Sequence, residues 1–195
     1  MTVTTAVLFA TPGAGFEAPF EMLAACHERF ERMLTLLERL AAHVADQGAD
    51  TQAREAAADV MRYFDLAAPQ HHEDEERHVL PLLRAHGHAA LAERLHAEHA
   101  AMVEGWAALR PALDALREGN AAAALTPAAQ QAWREFAALY RSHAQAEERM
   151  AFPTVQALLD ATAQRAMGQE MAQRRGARPA GPASNPPGPA PTTSR

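Results

Sequence analysis

HHEDEERHVLP, His71 to Pro81, and HAQAEERMAFP, His143 to Pro153, are one motif written twice. Aligned without a gap, His71 matches His143, Glu75 matches Glu147, Glu76 matches Glu148, Arg77 matches Arg149 and Pro81 matches Pro153. The shared pattern is H-x3-E-E-R-x3-P. A spacing of four on a helix stacks His over Glu on one face, about 6 Å apart. One helix can then offer an imidazole nitrogen and a carboxylate oxygen to the same centre.

The surrounding sequence reads as helices. A first helix is predicted from near Pro19 to near Gly48, its stripe running Leu23, His27, Phe30, Leu34, Leu37, Ala41 and Val44. A second starts near Asp50 or Thr51, meets Pro69 with a kink or a restart, and presents His71 and Glu75 together. Pro81 is a second local disturbance, and Gly87 supplies the turn. The third helix repeats Leu91, Leu95, His99, Met102, Trp106, Leu109, Leu113 and Leu116. His99 takes a place where Leu or Met would otherwise sit. Thr126 and Pro127 read as the cap and first residue of a fourth helix carrying Trp133, Phe136, Tyr140, His143 and Glu147. It fades near Gly168. Four amphipathic helices with short connections predict an all-α fold, an antiparallel up-down-up-down four-helix bundle. The expected division is an N-terminal arm over 1–15, the bundle over 16–168 and a disordered Pro/Gly/Ala-rich tail over 169–195.

Composition agrees and excludes. The chain has 195 residues, 48% hydrophobic, enough for one domain with a real core. All 18 basic residues are Arg, the net charge is −6 and there is no basic run, so nucleic acid is not an expected partner. No stretch reaches the roughly 18 apolar residues of a membrane span, so no membrane is expected. The N-terminus lacks a basic run and makes a poor signal peptide. The single Cys26 excludes an intramolecular disulfide and fits a reducing, cytoplasmic setting.

Six core positions are polar: His27, His71, Glu75, His99, His143 and Glu147. Burying two ionised carboxylates face to face is very costly without partners, and the stripes hold no Arg. Two cations would resolve the conflict. Four imidazoles with two carboxylates suit iron, manganese or zinc better than calcium or magnesium. Two metals sharing both carboxylates would leave positions open for water, oxygen or peroxide.

With these residues in view, the chain resembles the hemerythrin-like, or HHE cation-binding, family. CHERF, HHEDEERHVLP, EHAAM and HAQAEERMAFP carry the resemblance, which spans about residues 17–165. It implies two iron ions, a non-haem di-iron centre bridged by two carboxylates and an oxo or hydroxo group. His27, His71, His99 and His143 would be terminal ligands, and Glu75 and Glu147 the bridges. Dioxygen, peroxide or a similar small oxidant is the implied partner. The oxygen carriers have a further His where Leu95 stands here, and an Asp at spacing five where Glu147 stands at spacing four. Fewer imidazoles favour oxidant reactivity, redox sensing or iron handling over reversible carriage. A di-iron peroxidase or oxidase, and a structural zinc module, are the rivals.

Other candidates rank lower. Helix four has Ala144 opposite His72, which reads as outside the ligand set. Tyr63 and Tyr140 face inward as core residues that could reach an open position, and His96 lies off the stripe. Cys26 reads as a small buried apolar residue. The outer Glu/Arg pairs read as solvated surface.

Overall fold

The computed structural model describes residues 15–124 and 126–177, and every regular element among them is helical. The order is α1 (Pro19–Gln47), α2 (Thr51–His78), α3 (Leu80–Ala85), α4 (Ala89–Arg117), α5 (Ala121–Ala124), α6 (Pro127–Ala146), a π-helical turn (Glu147–Ala151), α7 (Phe152–Leu158) and α8 (Ala161–Arg174). The long helices α1, α2, α4 and α6 form a bundle in which α1 and α4 each pack against α2 and α6.

The ends of these helices follow local chemistry. The Asp50 carboxylate accepts from the Ala53 N–H at 2.8 Å, and the Thr126 hydroxyl from the Ala129 N–H at 3.1 Å. Each such cap contributes about 1 kcal/mol. Gly48 ends α1 and Gly87 makes the α3–α4 turn with φ of 73° and 87°, a region costly for a side chain with Cβ. Pro69 neither ends nor restarts α2, which runs through it to His78.

Both repeat copies deform just ahead of their proline. Pro81 follows a break at Val79 between α2 and α3. Pro153 follows the π-helical turn, closed by the Phe152 N–H on the Glu147 carbonyl. Proline cannot donate to the carbonyl four residues back and its ring crowds it, so the preceding turn must adjust.

The fourth helix ends at Leu158, earlier than the fade near Gly168 expected from sequence. Leu159 is extended, and Asp160 caps a separate α8 through the N–H groups of Thr162 and Ala163. The expected boundary at 168 therefore falls inside a helix that continues to Arg174. Met167, Gly168, Met171 and Ala172 are buried. Gly168 packs so tightly that a Cβ there would lie 1.7 Å from the Phe16 carbonyl oxygen. Arg174 and Arg175 both pair with Asp74, which is fully buried on α2. Glu170 meets His78 at 2.6 Å, and Arg175 reaches the Gln70 carbonyl at 3.4 Å. Gln70, Asp74 and His78 repeat every fourth residue, so α8 grips the α2 face beside the one bearing His71 and Glu75. Of the arm, residues 1–14 lie outside the described residues, as do 178–195 of the tail.

The core has two apolar clusters with a polar layer between them. One contains Phe30, Phe64, Met102, Phe136 and Tyr140; the other contains Leu23, Val79, Leu80, Leu95, Ala151 and Met171. Helices α1, α4 and α6 contribute to both, α2 reaches the second through Val79 and α3 at its end, and each of the four places a buried His between them.

Candidate metal centre

His27 on α1, His71 and Glu75 on α2, His99 on α4, and His143 with Glu147 on α6 and its π-helical continuation are all buried. Four helices converge here because each stripe substitutes a polar residue at the same level. The six side chains form two overlapping groups of four: His27, His71, Glu75 and Glu147; and Glu75, His99, His143 and Glu147. Within each group the donor atoms lie within 4.8 Å of one another.

The two carboxylates belong to both groups, and each divides its oxygens between them. Glu75 turns Oε1 toward His71 Nε2 at 2.9 Å and Oε2 toward His99 Nε2 at 3.3 Å. Glu147 turns Oε2 toward His27 Nε2 at 3.2 Å and Oε1 toward His143 Nε2 at 3.1 Å. None of the four buried oxygens receives a hydrogen bond of acceptable geometry. The Nε2 atoms of His27 and His71 face each other at 3.1 Å, as do those of His99 and His143. Buried carboxylate oxygens without well-aligned donors, crowded against imidazole nitrogens, are a high-energy arrangement in a dry core. They are also the donor set of a cation, so the residues present fit a metal pair.

The outer imidazole nitrogens are held by a second ring of carboxylates. His27 Nδ1 contacts Glu148 at 2.8 Å, His99 Nδ1 contacts Glu76 at 2.7 Å and His143 Nδ1 contacts Glu98 at 2.8 Å. A carboxylate there keeps the proton on Nδ1 and turns the Nε2 lone pair inward. Sequence reasoning placed the Glu/Arg pairs of this motif on a solvated face. The signal was present in the tandem Glu-Glu of both copies: the first Glu points inward, and the second reaches a His of the neighbouring helix. Glu98, directly before His99, had no such repeat to mark it.

The charges are strongly perturbed. Burial opposes protonation of His71, but the adjoining Glu75 carboxylate outweighs it and raises the imidazole well above 6.5. His143 is likewise disfavoured by burial yet pushed up to about 9 by Glu147, with Glu75 and Glu98 helping. Burial raises the Glu75 carboxyl, and the His71 charge overrides it, holding the group well below its usual range. Burial and the neighbouring His99 keep His72 neutral.

The lower-ranked candidates stand around this layer. His72 is buried and stacked on His99 with ring centroids 4.3 Å apart, beside the two groups of four and in neither of them. Tyr140 packs on Phe30, Phe64 and Phe136, and Tyr63 gives its hydroxyl to the Cys26 carbonyl at 3.3 Å. His96 is exposed and shares Glu76 at 2.9 Å. None of these joins either group of four. A cleft of about 710 Å³ between α1 and α6 is lined by Glu28, Glu31, Arg32, Arg141 and Glu148 and ends at His27.

A family model for the hemerythrin HHE cation binding domain matches residues 18–155, a span that contains all six buried ligand-type residues. The chain belongs to this family. Its bundle and its buried His/Glu groups are those of a hemerythrin HHE cation-binding domain. An uncharacterized protein of Haemophilus influenzae is 31% identical over 105 residues, 53% of this chain. The chain spans 61% of that relative's length. No helix among the described residues is long and apolar enough to cross a membrane.

Proposed function

We propose that this hemerythrin HHE domain holds two iron ions and interacts with dioxygen, peroxide or a related small oxidant, in sensing, scavenging or iron and oxygen handling. One observation carries it: both buried carboxylates give one oxygen to each of two imidazole pairs. Glu75 and Glu147 would bridge, and His27, His71, His99 and His143 would be terminal ligands through Nε2. When bound, such ions would supply the redox chemistry for reaction with the oxidant.

The chain supplies the rest. Glu76, Glu98 and Glu148 fix the imidazole tautomers. Phe152 stacks on His27 at 5.5 Å and Phe30 meets His71 edge-on at 4.9 Å, walls that keep water out of the layer. The cleft at His27 is a route for a small oxidant. Helices α1 and α4 pass from the Leu23/Leu95 cluster to the Phe30/Met102 cluster, while α2 and α6 pass the other way. This supports an up-down-up-down bundle. The unpaired Cys26 is consistent with a cytoplasmic setting.

The test is metal content with an optical spectrum of the purified protein. About two irons per chain, with near-ultraviolet bands that azide or peroxide alters, is the expected result. Zinc or no metal with a flat spectrum would overturn the iron assignment. Catalytic peroxide turnover above that of free iron would place the protein with the peroxidases.

A further inference from the structure

The two groups of four share their carboxylates but not their surroundings. An imidazole donates more strongly through Nε2 when a carboxylate holds its Nδ1–H. In the His99/His143 group both imidazoles have one, Glu76 at 2.7 Å and Glu98 at 2.8 Å. In the His27/His71 group only His27 has one, Glu148 at 2.8 Å. Nδ1 of His71 is buried with no carboxylate beside it; its neighbour is the Cys26 sulfur, a softer acceptor than a carboxylate oxygen.

The carboxylates themselves differ in the same sense. The Glu76 and Glu98 side chains are 28% and 17% exposed, that of Glu148 is 48% exposed. Water screens Glu148 most, so its charge is felt least by its imidazole. Glu98 is further fixed by Arg94 at 2.8 Å, and Glu76 by His96 at 2.9 Å. Glu148 pairs with His27 and lines the open cleft.

We infer that the two metal positions are unequal: the His99/His143 position binds its cation more tightly and fills first, and the His27/His71 position, beside the cleft, fills second and empties first. Glu76, Glu98 and Glu148 act as positioning residues that set this order. The inference rests on the two-metal reading but not on the identity of the metal. Loss of one outer-sphere partner lowers metal affinity by about 10- to 100-fold, so the missing carboxylate at His71 should separate the two steps by at least about tenfold.

The experiment is an anaerobic titration of the full-length, metal-free protein with Co²⁺, followed by calorimetry and visible absorption. Two steps at least about tenfold apart are expected. Glu98→Gln keeps an acceptor for His143 but removes the charge, and should weaken the first step by about 10- to 100-fold, narrowing the gap. Glu148→Gln should weaken the second step alone and widen it. A merely structural role would not sort the two variants between the two steps. Glu76→Gln repeats the first test should Glu98→Gln fold poorly, as judged by helix content. Two equal steps, a tighter second step, or Glu148→Gln acting on the first step would each overturn the inference while leaving two metals bound. No uptake of cobalt by the wild type would instead overturn the two-metal reading beneath it.

Discussion

Removing the metal should make this protein lose stability as pH rises, a dependence that loading should abolish. In the metal-free protein His143 faces Glu147 from its own helix, Glu75 and His72 from α2, and Glu98 and His99 from α4. Its proton answers the carboxylates, which is why it is held to about 9 instead of 6.5. A group whose folded value is raised stabilises fully below the unfolded value, and that contribution is lost as pH rises through the folded one. The window is therefore pH 6.5 to about 9, and at 1.36 kcal/mol per unit the loss is about 3 kcal/mol. His71 is raised too and acts in the same direction. Cys26, whose thiol burial pushes up but His71 pulls down, acts in the opposite sense, so the comparison is repeated in Cys26→Ala. The assay is urea unfolding of chelator-treated protein at pH 6.5 and 9. With a slope of about 1–3 kcal/mol per molar, the midpoint should fall by about 1–3 M. The loaded protein should hold its midpoint, because metal displaces those protons and binds more tightly as pH rises. A chelated midpoint that is flat, or rises, with pH in both backgrounds would refute the claim that the buried imidazoles stand in for the cations.

Three further outcomes follow from the same contacts. Glu147→Gln takes charge from both groups of four, so uptake of both ions should fall in a cobalt titration. The chelated variant should nevertheless be at least as stable as wild type at pH 9, because a buried carboxylate without donors has been removed. Asp74→Ala leaves Arg174 and Arg175 facing a buried gap, at a cost of about 3–5 kcal/mol in urea unfolding. The lower end is expected, because Arg174 keeps Glu170. Gly168→Ala would drive a Cβ into the Phe16 backbone, so α8 should be pushed off and its amides should exchange faster, at a cost of about 1–3 kcal/mol.

The bundle and the six polar core residues were legible because period and spacing are local. A His on a stripe otherwise filled by Leu and Phe needs no tertiary information to look out of place. What was missed depended on which helix lies opposite. Glu76 and His72 form an i,i+4 pair on paper, yet in the fold Glu76 turns to His99 and His96, and His72 lies against His99 and Tyr140. The same holds for α8. Its mean hydropathy is low and its composition runs into the Pro/Gly tail, so the chain past Gly168 looked like an end. Asp160 as a cap, and Met167 with Met171 one turn apart, were its only local marks.

That α8 was missed bears on the site, because its anchor is Asp74, next in the chain to the bridging-type Glu75. Holding Asp74 between two arginines fixes the rotation of α2 about its axis at the level of the centre. A turn of one residue, about 100°, would replace Glu75 with its neighbour. On the other side of the layer Glu147 opens the π-helical turn, a widening of the helix that shifts the register of everything after it by a residue. The two carboxylates that must each split their oxygens between two imidazole pairs are thus set by different means: an ion-paired clasp on α2, and a local rewinding forced ahead of Pro153 on α6. The repeat supplies the same ligands twice. The fold around each copy then aims them separately, and the outer partner of each imidazole comes from the helix opposite: Glu98 of α4 for His143, Cys26 of α1 for His71.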